Sequence, residues 1–496
     1  MICRIVVISL LLSFIRIISC STVFAIEQDS TCDPKVYQAE EAQRFGQVRV
    51  AKNIPGFTGN GYLECFKHAG DQCEFIFEAP ESGFYDLVFV TASIGGYKEN
   101  YVLLDGERLG VVITDSISFN DSVFYNVYMD QGKHRIGFST YWGYVLLDAL
   151  IINPSDAIDE SIYHVTAALV NPCATDQAKR LMNYLVDSYG KVILSGQFCD
   201  KGILAQECGV IFLATGKRPA VLGLDMMDYT PSRVARGTNC KAIEYAIQCD
   251  ELGGIVTFCW HWNAPEPYLK PGGIWYRGFY TEETSLNLTK IINGEDTIGY
   301  HLLLDDIDAI AIQLLRLQDA GVPVLWRPLH EASGGWFWWG AHGADSYKSL
   351  WILLYDRLVT HWQLNNLIWI WNGQNAAWYP GDSYVDIIGE DIYAGERVYS
   401  SQINRFLNAT QYTNDRKMIV LSENGCLIDP DLAVRDGAMW GLFTTWGGEF
   451  VIKSNILKLS EKYTDTSMVE KVYHHERVIT LDELPNLKNY PIRNEH

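Results

Sequence analysis

The chain is poor in positive charge. Across 496 residues, 39 Lys and Arg stand against 60 Asp and Glu, a formal net charge of −21. Such a chain has no basic patch with which to displace phosphate counterions, so nucleic acid is excluded as a partner. A polyanionic glycan is disfavoured on the same ground, and a neutral one is favoured. No CxxC pair, HxH, HExxH or clustered Asp/His triad occurs, which argues against a zinc site and a metal-dependent hydrolase. There is no internal repeat and no low-complexity tract. The apolar run at residues 5–15 is too short to span a bilayer and is broken by Arg16.

That run reads instead as a secretory leader over residues 1–25, with Arg4 before it and Val23-Phe24-Ala25 as a small-residue cleavage site. A lipoprotein leader ending at Cys20 is the rival reading. A secreted, extracellular product with no membrane association is expected. Beyond the leader, ten cysteines remain (Cys32, Cys65, Cys73, Cys173, Cys199, Cys208, Cys240, Cys249, Cys259 and Cys426), even in number and scattered. In an oxidising compartment this pattern predicts disulfides, with Cys65/Cys73, Cys199/Cys208 and Cys240/Cys249 as plausible pairs and the connectivity open. Sequons stand at Asn120, Asn287 and Asn408.

What the chain has in abundance is apolar and aromatic surface. Hydrophobic residues make up 48% of it, and 15 Trp with 28 Tyr exceed what packing alone requires; flat aromatic faces also suit a carbohydrate cleft. The length predicts more than one domain. Residues 33–153 carry short β-branched and aromatic runs between Gly and Asp turns, the pattern of an all-β, jelly-roll-like sandwich. Residues 154–163 form a linker too short to be a flexible tether. From 164 to 485 the texture alternates between strands and helices. Strand-like runs at 192–198, 220–224, 255–260, 323–329, 367–371, 385–389, 418–421 and 439–444 predict a (β/α)8 TIM barrel, whose sites lie at the C-terminal strand ends. One intervening helix is expected over 305–320, with an acidic start and Gly321 as its stop.

Two of these runs end on a glutamate: Glu331 closes strand four and Glu423 closes strand seven. A carboxyl at the tip of a buried strand faces desolvation, which favours its neutral form. Two of them sharing a cleft supply the pairing that glycoside hydrolysis needs, about 5–5.5 Å apart under a retaining scheme. Glu331 is then the acid and Glu423 the nucleophile. Tyr393, after strand six, is placed to donate to Glu423, and Arg327 to hold it ionised. His261 and His330 are candidate ligands for sugar hydroxyls, Trp446 a platform under the ring being cleaved, and Trp336 a platform beside the leaving group. Trp338 and Trp339 are adjacent, so one of them is expected to be buried. Glu390 and Asp391 are rival strand-end acids in a supporting motif.

Trp326-Arg327-Pro328-Leu329-His330-Glu331, then Gly335-Trp336-Phe337-Trp338-Trp339, with Trp260-His261-Trp262, Gly389-Glu390-Asp391-Ile392-Tyr393 and Ser422-Glu423-Asn424-Gly425, closely resemble glycoside hydrolase family 26, mainly endo-β-1,4-mannanases. The resemblance covers about residues 164–485. It implies a retaining double displacement with Glu331 as acid/base and Glu423 as nucleophile, and no catalytic cofactor. It also implies substrate contacts by His261, Trp262, Arg327, His330, Trp336, Tyr393 and Trp446.

The N-terminal sandwich resembles a family 35 carbohydrate-binding module, through Tyr37-Gln38-Ala39-Glu40 and Tyr141-Trp142-Gly143-Tyr144-Val145-Leu146-Leu147-Asp148. That resemblance implies a structural calcium between the terminal strands, held by Gln38, Glu40 and Asp148, and a sugar platform at Trp142. Gln38 stands where the family usually carries an acid, which lowers the expected affinity.

The expected activity is endo-hydrolysis of a neutral β-mannan by a monomer. A mixed-linkage β-glucanase or a β-1,3-xylanase on the same fold is the alternative, and a lectin-like chain without turnover is a third. The module is expected to fold alone, and its removal to spare activity on soluble oligosaccharides.

Overall fold

The computed structural model describes residues 34–453 and 458–493. The leader expected at 1–25, Cys3, Cys20 and Cys32 lie outside the described residues.

The N-terminal module is two antiparallel sheets packed face to face. One orders its strands Arg49–Ala51, Tyr62–Glu64, Leu146–Ser155, Gly83–Ala92 and Asn120–Met129; the other runs Gln43–Phe45, Gln72–Ala79, Gly132–Thr140, Lys98–Leu104 and Glu107–Thr114. Period-two alternation explains the packing. In Gln72–Ala79, Cys73, Phe75, Phe77 and Ala79 are buried while most of their neighbours are not, so one face lies on the core. Phe138 brings its ring within 5.2 Å of Phe66 and 5.3 Å of Phe89, joining the two sheets. The first strand, Lys35–Gln38, pairs antiparallel with the last, setting Gln38 opposite Ala149. That register brings the chain's entry and exit, and with them Gln38, Glu40 and Asp148, to one place.

The segment after the sandwich is pinned rather than loose. Tyr163, at the end of the short turn Glu160–Tyr163, donates its hydroxyl to the Gly437 carbonyl and packs against Tyr189.

Eight parallel strands then close into a barrel: β1 (Gly196–Phe198), β2 (Val221–Asp225), β3 (Ile255–Trp260), β4 (Val324–Pro328), β5 (Leu367–Trp371), β6 (Ile387–Ile392), β7 (Met418–Asn424) and β8 (Phe443–Thr445). Every residue of β3, β4 and β5 is buried, as expected for parallel strands covered on both faces. All eight anticipated runs become barrel strands. The helix expected over 305–320 begins earlier, spanning Thr297–Asp319 with Asp296 accepting from the Gly299 N–H as its cap. Asp305 and Asp306 looked like its acidic first turn but lie in its middle. Asp306 is buried and accepts from Trp262 Nε1.

The disulfide expectation is not met. All nine described cysteines are free thiols. Cys73, Cys208, Cys249 and Cys259 pack as small apolar groups, and the Cys199 thiol donates to the Gly202 and Ala205 carbonyls.

The module is docked on the barrel through the segment around the helix Ile403–Ala409. Asn404 accepts from the Tyr125 N–H at 3.1 Å and donates to the Val111 carbonyl at 3.0 Å. Ser400 donates to the Leu109 carbonyl at 2.7 Å. Arg405 lies between Glu99 of the module, at 3.6 Å, and Glu390 of β6, at 3.4 Å.

Candidate active site

The site forms where β4 and β7 end. Beyond Pro328 the chain turns so sharply that Leu329 and Glu331 adopt left-handed backbone, φ 52° and 53°. Such a conformation costs a non-glycine residue about 1–2 kcal/mol and persists where surrounding bonds over-determine it. Here Asn372, after β5, accepts the Glu331 N–H with both its backbone carbonyl, at 2.7 Å, and its side-chain carbonyl, at 2.9 Å. Trp339 Nε1 holds the His330 carbonyl at 2.8 Å. Across the cleft, the pairing of β6 with β7 is regular as far as Glu390 and then slips, so that Asp391 pairs with Glu423. A bulge of this kind re-aims side chains, and it brings two carboxylates together.

Arg327 answers both of them. Its Nη1 donates to Asp391 at 2.5 Å and its Nη2 to Glu423 at 2.6 Å, all three groups being buried. Tyr393 donates its hydroxyl to the other Glu423 oxygen, and Ser422 donates to Asp391 at 2.7 Å. Glu423 therefore meets a donor on each of its oxygens. One oxygen from each of Glu331, Asp391 and Glu423 lies within 4.8 Å of the others. Glu331 has a different environment. Burial, and after it the Glu423 charge, pushes its pKa up to about 7, and its one side-chain donor is Trp336 Nε1 at 2.9 Å. The two neighbouring carboxyls thus have unlike environments, Glu423 bonded on both oxygens and Glu331 desolvated, the pattern of an acid paired with a nucleophile.

A second layer surrounds the pair. Asp225, closing β2, accepts from His261 Nδ1 at 2.6 Å. Burial works against a charge on His261, but Asp225 outweighs it and the pKa is raised. His330 Nε2 lies 3.2 Å from His261 Nε2, and burial, with the Arg327 charge, drives His330 well below its ordinary value. Trp446, after β8, is half-buried between Phe198, at 4.7 Å, and His261, at 5.8 Å between ring centres.

Glu331, Glu423, Arg327, His261, His330, Trp336, Tyr393 and Trp446 therefore gather at one barrel mouth. Trp262 does not reach it. It is fully buried, stacked on Trp260 at 4.1 Å and bonded to Asp306, because the chain's turn after β3 sends it outward under the helix Thr297–Asp319. Arg327 and His330 are as closed to solvent as the core, so both act by orienting other groups rather than by presenting open surface to a sugar. Trp338 and Trp339 are both buried, not one of them. Asp225 and Asn372, which orient His261 and Glu331, lie outside the motifs quoted above. The signal for Asp225 is the same as for Glu331, an acid closing an apolar strand run, Val221-Leu222-Gly223-Leu224-Asp225.

In the module, Thr58 donates to Gln38 at 3.1 Å and to Asp148 at 3.0 Å, and the Asn60 N–H donates to Glu40. A Cβ on Gly59 would fall 2.5 Å from both Gln38 and Glu40 oxygens. The second Glu40 oxygen is buried without a hydrogen-bond partner. An orphaned carboxylate oxygen beside Gln38 and the buried Asp148 is a donor set that fits a hard cation.

Comparison with known proteins settles the family. The model of Glycosyl hydrolase family 26 matches residues 170–483. The chain belongs to this family. The model of Carbohydrate binding module (family 35) matches residues 35–155. A mannan endo-1,4-beta-mannosidase of Thermothelomyces thermophilus is 40% identical over 470 residues, 94% of this chain and 93% of that protein. The crystal structure of the Podospora anserina GH26-CBM35 beta-(1,4)-mannanase superposes with a TM-score of 0.64 at 37% identity, over 92% of this chain and 99% of that one. A beta-mannanase from a symbiotic protist of the termite Reticulitermes speratus, solved with a gluco-manno-oligosaccharide, gives a TM-score of 0.57 at 32% identity, over 65% of this chain and 98% of that one. As a family 26 glycoside hydrolase the chain needs no catalytic cofactor, and Arg327 pairs with two of its three clustered carboxyls, Asp391 and Glu423.

Proposed function

We propose that this family 26 hydrolase is a secreted, monomeric endo-β-1,4-mannanase that acts with retention of configuration. The observation that carries the mechanism is the closeness of Glu331 and Glu423, whose nearest oxygens lie within 4.8 Å. Carboxyls brought this close suit direct attack by the second group better than a scheme that must leave room for a water between them. A Glu423 oxygen attacks the anomeric carbon as the glycosidic C–O bond breaks, and Glu331 gives its proton to the departing oxygen. Glu331, now ionised, takes a proton from water, which displaces Glu423 and returns both groups to their starting forms. The relatives' names support mannan as the glycan, and the net charge of −21 supports a neutral one. Product release from glucomannan, galactomannan, mixed-linkage β-glucan and β-1,3-xylan in parallel tests the substrate, and proton NMR of the first product formed tests the stereochemistry. Preference for either of the last two glycans overturns the mannanase reading, and an initial α-anomer overturns retention.

The platforms have their own test. Trp336→Ala and Trp446→Ala each remove an apolar face worth roughly 1–3 kcal/mol when covered by a sugar. A loss in kcat places the face at the ring being cleaved, and a loss in KM places it further out. Unaltered kinetics on mannan would remove that residue from the site.

We also propose that Gln38, Glu40 and Asp148 hold a structural calcium. A cation bound only by the folded module stabilises it by about 2.7 kcal/mol at a hundredfold excess over Kd. Chelator added to the full-length protein is expected to lower the first melting transition by several degrees, with restoration by excess calcium. An unchanged melt rejects the site.

A further inference from the structure

One open feature of the cleft belongs to both domains. A cavity of about 470 Å³ has Glu331, Trp336 and Trp378 of the barrel on one wall and Tyr97, Tyr101 and Trp142 of the module on the other. We propose that the module's aromatic face forms the outer, leaving-group side of the catalytic cleft, so that one β-mannan chain lies across both domains during cleavage. This inference rests on the mannanase reading.

Three observations carry it. The aromatic faces are open where packing would have closed them, with Trp142 42% and Trp336 39% exposed. They are also rigid. Tyr101 stacks on Tyr141 at 4.6 Å with Arg108 over its ring at 3.6 Å, while the Trp142 N–H is held by the Glu99 carbonyl at 2.9 Å. Pre-set flat faces of this kind bind at low entropic cost. Polar side chains stand between the walls for sugar hydroxyls. Gln374 and Gln402 both line the cavity from left-handed backbone, φ 57° each, a strain found at binding sites.

Secondly, the two walls are locked together. Arg405 lies between Glu99 and Glu390, and Glu390 is fully buried. Removing the module takes one carboxylate from a buried guanidinium, so the interface is built as part of the barrel's own structure. On this inference, loss of the module should lower activity on soluble oligosaccharides as well, the opposite of the expectation from sequence.

Thirdly, the cavity opens on the acid's side of the site. Glu331 delivers its proton to the departing oxygen, and Trp336, bonded to it, leads outward towards the module. Sugars on that side belong to the leaving half of the substrate.

The test uses full-length protein carrying Trp142→Ala, with Trp142→Phe as the conservative variant. Activity is read on mannotriose to mannohexaose, with cleavage position mapped by oxygen-18 incorporation and folding checked by melting. The loss in kcat/KM is expected to grow with chain length, slight for mannotriose and about tenfold for mannohexaose. Cleavage should shift towards the reducing end, because registers with a long leaving half lose support, and Trp142→Phe should recover most of the activity. A loss independent of length, or one confined to insoluble mannan, overturns the shared cleft and leaves the module as a separate anchor. Wild type inert on mannan but active on another β-glycan overturns the mannanase reading alone, and the same length series on that glycan then decides the shared cleft. Wild type inert on all of them overturns both.

Discussion

Glu423→Ala should lose turnover by a factor on the order of 10⁵ or more, as when an active-site nucleophile is removed elsewhere, and azide should restore part of it. The nucleophile's place is defined by Arg327 and Tyr393, whose donor groups would remain aimed at a vacated space. A small anion fits there and is stabilised by the same donors. It would attack the face that Glu423 attacks and, with no second displacement, release an α-glycosyl azide. Arg327 keeps Asp391 as a partner in the variant, so the fold should survive, and a melt within a few degrees of wild type checks this. Azide-independent activity above a percent of wild type would assign the nucleophile elsewhere, Asp391 being the nearest carboxylate.

Glu331→Ala should cost about 10²–10⁴-fold on mannan, the usual worth of a general acid, while sparing the first step for aryl glycosides whose leaving group departs without a proton. Azide would then intercept the glycosyl-enzyme from the opposite face and give a β-glycosyl azide. The pH profile carries the same signature. With Glu331 raised to about 7, the protonated acid is present below that pH and is lost above it. Wild-type kcat/KM should fall on the alkaline side with an apparent pKa near 7. For an activated aryl mannoside that limb should flatten in Glu331→Ala. Equal losses on activated and natural substrates, or an unmoved limb, would remove Glu331 from the acid role.

Much of this architecture is legible before any coordinates. Parallel strands buried on both faces must be continuous apolar runs, so β3, β4, β5 and the rest announce themselves by composition. The strand-end acids Glu331 and Glu423 stand out as a pair, since either alone could be an ordinary cap or surface charge. The sandwich shows itself through period-two alternation, as in Gln72–Ala79. Local patterns determine local structure here because each strand buries its face wherever its partners come from.

What the chain does with side chains after a strand ends is decided by packing. Trp260, Trp262, Trp336, Trp338 and Trp339 are chemically alike, yet only Trp336 is open to the cleft; the left-handed turns at Leu329 and Glu331 set which ring points where. The helix Thr297–Asp319 starts two turns before its acidic pair because the Asp296 side chain caps it by accepting the free Gly299 N–H. The nine described cysteines remain thiols, since pairing depends on the separation and direction of two Cβ atoms that no count encodes. The joining of module and barrel around Arg405, Glu99 and Glu390 links positions about 300 residues apart in sequence. Sequence alone determined the two folds and the pair of strand-end glutamates, through burial and chemistry that act within a strand's length. Tertiary structure alone decided which aromatics face the cleft and that the module forms one of its walls, because both depend on long-range contacts.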